Sequence, residues 1–131
     1  MPDSLSELIK YRIEQAFKTT SEVEVLIEKE FLVIAINRIY YGMFYMLLAL
    51  ALKEGFKTSK HHQLLGWFNK EFVKPQKVSR EIGKIIHRAF EDRTDGDYGV
   101  FVEFKKDEVK SKFRDMKLFI SELNKLITKD L

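Results

Sequence analysis

The residues whose types and spacing could do chemistry lie in two places. His61 and His62 form the adjacent histidine pair of the chain, with Lys57 and Lys60 just before them; Asn37-Arg38-Ile39-Tyr40-Tyr41 interrupts an otherwise apolar run. Neighbours on a helix point about 100° apart, so the two histidines do not easily chelate one metal ion, and no carboxylate follows either of them at the four-residue spacing of a helical metal site. The chain has no cysteine, which removes thiolate zinc sites, disulfides and thiol catalysis. The expectation is therefore no metal and no cofactor. The histidine pair can instead meet an anion together with Lys57, Lys60 and the free amides of a helix start, or it can be plain solvated surface. A Gly-rich phosphate loop, G-x-S-x-G and H-E-x-x-H are all absent, so the common enzyme signatures lend catalysis no support.

Arg38 poses a sharper question. On a helix Arg38, Gly42, Tyr45 and Ala49 share one arc, and Asn37, Tyr41, Phe44 and Leu48 share another. Small residues let a neighbouring backbone approach closely, and an arginine among them is held by a carboxylate or a phosphate. Two readings stand: a structural ion pair to Asp97 or Asp92, or a phosphate site with Tyr41 or Tyr45 available to stack on a base.

The element that must position these residues is Phe31 to Leu52, apolar on nearly every face and so in need of enclosure. It is long enough to cross a bilayer, and a mid-span arginine costs about 3 kcal/mol, which its many Leu, Ile, Phe and Val could offset. The rest of the chain decides for a soluble core helix with no membrane, because other segments carry apolar stripes that have no partner unless this helix supplies one. A first helix starts at the capping-box spacing Ser4-Leu5-Ser6-Glu7 and runs to about Lys29. The central helix follows, from about Phe31 to Glu54, with Gly55 as a left-handed cap. Ser59 is expected to cap a short helix that Pro75 ends. Val78 to Arg93 forms the next helix; Thr94 to Gly99, with two Gly and two Asp, reads as loop, and Val100 to Phe104 as extended chain. The last helix runs from about Lys106 to Thr128, its apolar positions spaced by four and three. With 131 residues, 45% hydrophobic and 33% charged, the chain fits one domain over 1–131. The fold class is all-α, an up-and-down bundle of four main helices plus a short additional one. Asp3, Glu7 and Glu14 interrupt the N-terminus, which argues against a secretory leader and for a cytoplasmic protein.

Charge is uneven. Between Lys53 and Arg93 ten Lys and Arg face five Asp and Glu, an excess of +5 in a chain whose net charge is +3. Such a bias raises affinity for phosphates or an acidic partner, or leaves a solvated surface that leans positive.

Four short motifs in register carry a family resemblance: Asn37-Arg38-Ile39-Tyr40-Tyr41-Gly42-Met43-Phe44, then Ser59-Lys60-His61-His62, then Phe72-Val73-Lys74, and Arg93-Thr94-Asp95-Gly96-Asp97-Tyr98. Their order, spread over about Leu5 to Leu126, resembles the HEPN domain in its small stand-alone prokaryotic branch, with an N-R-x-Y-Y-x-x-F helix followed by an R-x-x-x-D-Y helix end. The resemblance implies an all-α bundle, frequently a homodimer, encoded beside a minimal nucleotidyltransferase in toxin–antitoxin pairs. It points to a module that binds nucleotide or RNA through Arg38, Tyr41, Tyr45, Lys60, His61, His62, Arg93, Asp97 and Tyr98, or that docks such a partner. Ribonuclease members carry R-x(4–6)-H, which only Arg80 and His87 fit here. Glu81 follows Arg80 where active members have Asn, Asp or His. A metal-independent endoribonuclease using Arg80 and His87 is thus the alternative, beside a purely structural or protein-interaction domain.

Overall fold

A computed structural model of the chain describes residues 4–99 and 102–129, with the side chain of Tyr98 outside the description. Five α-helices follow in order: α1 (Ser4–Glu28), α2 (Leu32–Lys53), α3 (His61–Phe68), α4 (Arg80–Tyr98) and α5 (Lys106–Thr128). Among the described residues there is no strand, and the fold is the expected all-α bundle. α3 continues into a π-helical turn, Asn69–Val73.

α1 stays helical through Thr19-Thr20-Ser21 because the hydroxyls turn back onto the helix: Thr19 donates to the Gln15 carbonyl at 2.8 Å and Thr20 to that of Ala16 at 3.0 Å. The turn into α2 is closed by Phe31 N–H donating to the Leu26 carbonyl at 2.9 Å, with Glu30 in the left-handed region at φ 60°. Gly55 takes the same conformation after α2, at φ 81°, as expected of its position.

α2 is the centre of the bundle. α1, α3, α4 and α5 all pack against it, and Ile36, Ile39, Tyr40, Met43, Met46, Leu47 and Leu50 are at most 2% exposed. Length and composition alone would let this helix cross a membrane; here its apolar faces from Ala35 onward are largely taken up by the stripes of its neighbours, while Val33 and Ile34 in its first turn stay exposed. From α5 these are Val109, Phe113, Met116, Phe119, Ile120, Leu123 and Ile127. Gly42 matters for the approach, because a Cβ there would run into the Met116 side chain and lie 3.3 Å from Thr19 Cγ2.

Two expectations need correction. α4 does not end at Arg93; it continues through Thr94 to Tyr98. The Thr94 hydroxyl donates to the Phe90 carbonyl at 3.0 Å and Arg93 reaches Asp97 one turn on, so the polar residues that look like loop are bonded within the helix instead. Ser59 does not cap α3. Lys60 is the cap residue and makes no side-chain cap bond, while Thr58 Oγ1 accepts the Lys60 N–H at 3.1 Å and donates to Gln63 at 2.7 Å. Residues 102–105 have no regular structure, and the rest of the expected extended stretch, Val100 and Phe101, lies outside the described residues.

Filling the gap at Gly42 should loosen this packing. Gly42→Leu is expected to lower stability by about 1–3 kcal/mol through overpacking against α1 and α5, and Gly42→Ala by less, since the Met116 terminus can rotate away. Urea midpoints of the two variants check the order.

Candidate nucleotide-binding face

The first half of α2, the start of α3 and the last turns of α4 come together around Arg93. Its side chain is 13% exposed. The guanidinium carbon lies 5.5 Å from the ring centres of both Tyr40 and Tyr41, and 5.7 Å from that of Phe90. Nη1 donates to Asp97 Oδ2 at 3.2 Å, and Asp97 also accepts, at 3.4 Å, from Nδ2 of Asn37. The carboxylate thus ties the end of α4 to α2. Nε of Arg93 is buried without a hydrogen-bond partner. Burial alone would lower the Arg93 pKa. The Asp97 hydrogen bond outweighs it, helped by the electrostatic effect of the neighbouring Tyr41, Asp97 and Tyr40 groups, so the net shift is upward and the group stays cationic.

His61 is set by the same rings. Its imidazole stacks on Phe44 at 4.2 Å with planes 14° apart, and Nδ1 lies 2.6 Å from the Tyr40 hydroxyl. Tyr40 is fully buried, and that burial raises its pKa more than the Arg93 charge lowers it. A phenol kept protonated donates to Nδ1, which leaves the proton of the neutral imidazole on Nε2. Burial first, and then the charges of Arg93 and His62, lower the His61 pKa. His62 faces outward, its ring at 5.3 Å and 70° to Phe90, and Lys60 is exposed at the start of α3.

Arg38 sits on the other side of this group. Its guanidinium carbon is 5.5 Å from the centre of the Tyr41 ring and 5.9 Å from that of Tyr45, and Nη2 donates to the Tyr45 hydroxyl at 3.4 Å. The ion pair to Asp97 or Asp92 envisaged for Arg38 is not formed: Asp97 is engaged by Arg93, and Asp92 by Lys112 at 2.7 Å. Among the described residues no carboxylate is within ion-pair distance of Arg38. The side chain lines a groove of about 300 Å³ against α1 that Glu14, Lys18 and Glu22 also border. The two arginines therefore share one aromatic ring, Tyr41, while only one of them is neutralised.

Of the residues singled out from sequence, Arg38, Tyr41, Tyr45, His61, His62, Arg93 and Asp97 are joined by contacts, with Lys60 alongside; Tyr98 contributes its backbone to the end of α4, and its side chain lies outside the described residues. Arg80 and His87 stand apart from them. Both are exposed on α4 and line one groove of about 590 Å³, and His87 Nε2 is 2.9 Å from Glu91. Sequence reasoning missed Phe44 and Phe90 as parts of the site. Each lies three or four residues from Tyr40, Tyr41 or Arg93 on the same helix, and that spacing was the available signal. Among the described residues no cluster of His, Asp or Glu is suited to hold a metal ion.

The family model of the HEPN domain matches residues 9–126. The chain belongs to the HEPN family. Its relatives include a UPF0332 protein of Thermotoga maritima, 42% identical over 121 residues that cover 92% of each chain. Two proteins of Methanocaldococcus jannaschii also match. One, named "Putative toxin MJ0142", is 35% identical over 91% of this chain and 82% of its own length. The other, named "Putative toxin MJ0605", is 25% identical over 94% of this chain and 91% of its own. In this HEPN chain the N-R-x-Y-Y segment of α2 and the R-x-x-x-D segment of α4 are the parts that Asp97 and Tyr41 hold together.

The lowered His61 pKa has a measurable sign. Below about pH 6.5 the unfolded chain takes up this proton before the folded one does, so the unfolded state binds more protons there. Stability contributed by neutral His61 is complete above that pH and falls as pH drops toward the lowered folded value. Denaturant midpoints measured from pH 7.5 to about pH 5 should show this acid slope in the native chain and a shallower one in His61→Gln.

Proposed function

We propose that this HEPN protein is a nucleotide- or RNA-binding module that works in the cytoplasm beside a minimal nucleotidyltransferase partner in a toxin–antitoxin-type pair. The observation that carries the reading is the division between the two arginines. Arg93 is tied to Asp97 and packed among rings, whereas Arg38 has only a neutral hydroxyl as a partner beside Tyr41 and Tyr45. A half-exposed guanidinium without a carboxylate, next to two aromatic rings, suits a phosphate and an adjacent base. The names of the two Methanocaldococcus relatives support the toxin side of the proposal.

Homodimerisation belongs to the same proposal. Phe31, Val33 and Ile34 at the start of α2 are 52%, 42% and 53% exposed, an apolar end that a second copy would cover. A monomer by light scattering at about 50 μM, a concentration at which an interface of ordinary affinity is filled, would contradict the dimer.

Metal-independent ribonuclease activity is the second reading, and the specific observation for it is that Arg80 and His87 line the same groove. The His87–Glu91 pair does not decide against it, because a carboxylate on one ring nitrogen orients the imidazole and leaves the other nitrogen for the proton. Cleavage of labelled RNA that disappears in both Arg80→Ala and His87→Ala would favour it.

For binding, Arg38→Ala is expected to weaken ATP or single-stranded RNA by about tenfold to a hundredfold, the loss of a charge-assisted contact worth about 1.5–3 kcal/mol. Its denaturant midpoint should change little. Arg93→Ala should lower stability as well, by about 1–3 kcal/mol, less than for a fully buried pair since Asp97 remains 30% exposed. Unchanged affinity in both variants would end the binding reading.

A further inference from the structure

Of the ten Lys and Arg between Lys53 and Arg93, Lys60 and Arg93 belong to the Arg38–Arg93 face, and three others, Lys74, Arg80 and Lys84, gather at a second place. Between the α3–π-turn element and α4 runs the groove of about 590 Å³, whose rim carries the cations Lys74, Arg80 and Lys84 beside His87, all exposed. Its floor is apolar, from Leu65, Phe68, Val73 and Ile86. None of the five acidic residues between Lys53 and Arg93 lines it, although Glu91 reaches His87 at one end. The wall is built by the wide turn at Asn69–Val73, which carries Val73 so close to Gly83 that a Cβ there would lie 2.9 Å from Val73 Cγ2.

We infer that this groove docks an acidic amphipathic helix of a partner protein. Arg80, Lys84 and His87 follow one another at four and three residues along one stripe of α4, about 10 Å from first to last at 1.5 Å per residue. The two cations of this stripe, Arg80 and Lys84, with Lys74 also on the rim, match carboxylates repeated over successive helical turns, not the single head group of a small anion. The half-buried floor residues Leu65 and Val73 then receive the leucine-like stripe of the partner. RNA fits less well. Its phosphates would meet the rim, but the aromatic ring in the floor, Phe68, is 1% exposed and offers no face for a base. The groove names the chemistry of a partner, so it deepens the partner half of the proposed function without depending on the nucleotide half.

The test uses the full chain and three probes: a synthetic helical peptide with a leucine stripe flanked by Glu, the same peptide with Gln in place of Glu, and a single-stranded RNA 20-mer. Amide shifts in the NMR spectrum locate each probe, and anisotropy gives its affinity. The Glu peptide should move the amides of Val73, Gly83 and Lys84, bind more tightly than the Gln peptide, and weaken with added salt. Lys74→Glu with Lys84→Glu, two exposed positions, should weaken it by about tenfold, the sum of two partly solvated charge contacts. Equal binding of the Gln peptide would overturn the proposal. So would RNA moving these amides at lower concentration than the Glu peptide, or no shift at millimolar peptide. Because no nucleotidyltransferase is in the sample, a chain that lacks such a partner can still pass, and loss of ATP binding in Arg38→Ala reads out separately.

Discussion

The need to enclose α2 is the constraint on which the rest of the structure depends. A helix that is apolar on nearly every side is stable in water only when several neighbours cover it, and α1, α3, α4 and α5 each give one stripe to the task. Close packing then dictates which residues can stand where the helices meet. Gly42 is needed because α1 and α5 both crowd that side of α2, and Thr19 can be buried there because its hydroxyl is already bonded to its own helix.

That enclosure creates the electrostatic problem that the contacts around Arg93 resolve. Asn37, Arg38, Tyr40 and Tyr41 interrupt a core helix, and polar groups so placed need partners. Tyr40 finds His61, Asn37 finds Asp97, and Asp97 in turn holds Arg93 among the rings of Tyr40, Tyr41 and Phe90. Arg38 is the group for which this arrangement supplies no carboxylate. The structural network and the proposed binding group therefore share a ring, Tyr41, and binding at Arg38 is free to leave the network intact.

How much of this was legible in the sequence follows from the range of the interactions involved. α2 and the α5 seam could be read because burial is written as local periodicity, in runs such as Val109, Phe113, Met116 and Ile120. The extension of α4 to Tyr98 could not, because Gly and Asp are loop formers locally, and what holds Asp97 in the helix is partly Asn37, sixty residues earlier. Thr58 replaced Ser59 at the start of α3 for a similar reason: two hydroxyls stood side by side, and loop geometry chose between them. In the site, Arg38 and Arg93 were found as motif members, but which of them Asp97 would take was a question of three-dimensional reach. The π-turn left no pattern of its own in the residue types.

The central claim is that Arg93 is a structural cation and Arg38 a free one. The most direct measurement is the ¹⁵N NMR of the two arginine Nε–Hε groups, assigned through Arg38→Lys and Arg93→Lys, during titration with ATP. The account predicts that the Arg38 signal moves and saturates while the Arg93 signal, buried against the aromatic rings, stays where it was. Movement of Arg93 alone, or of neither, would contradict it.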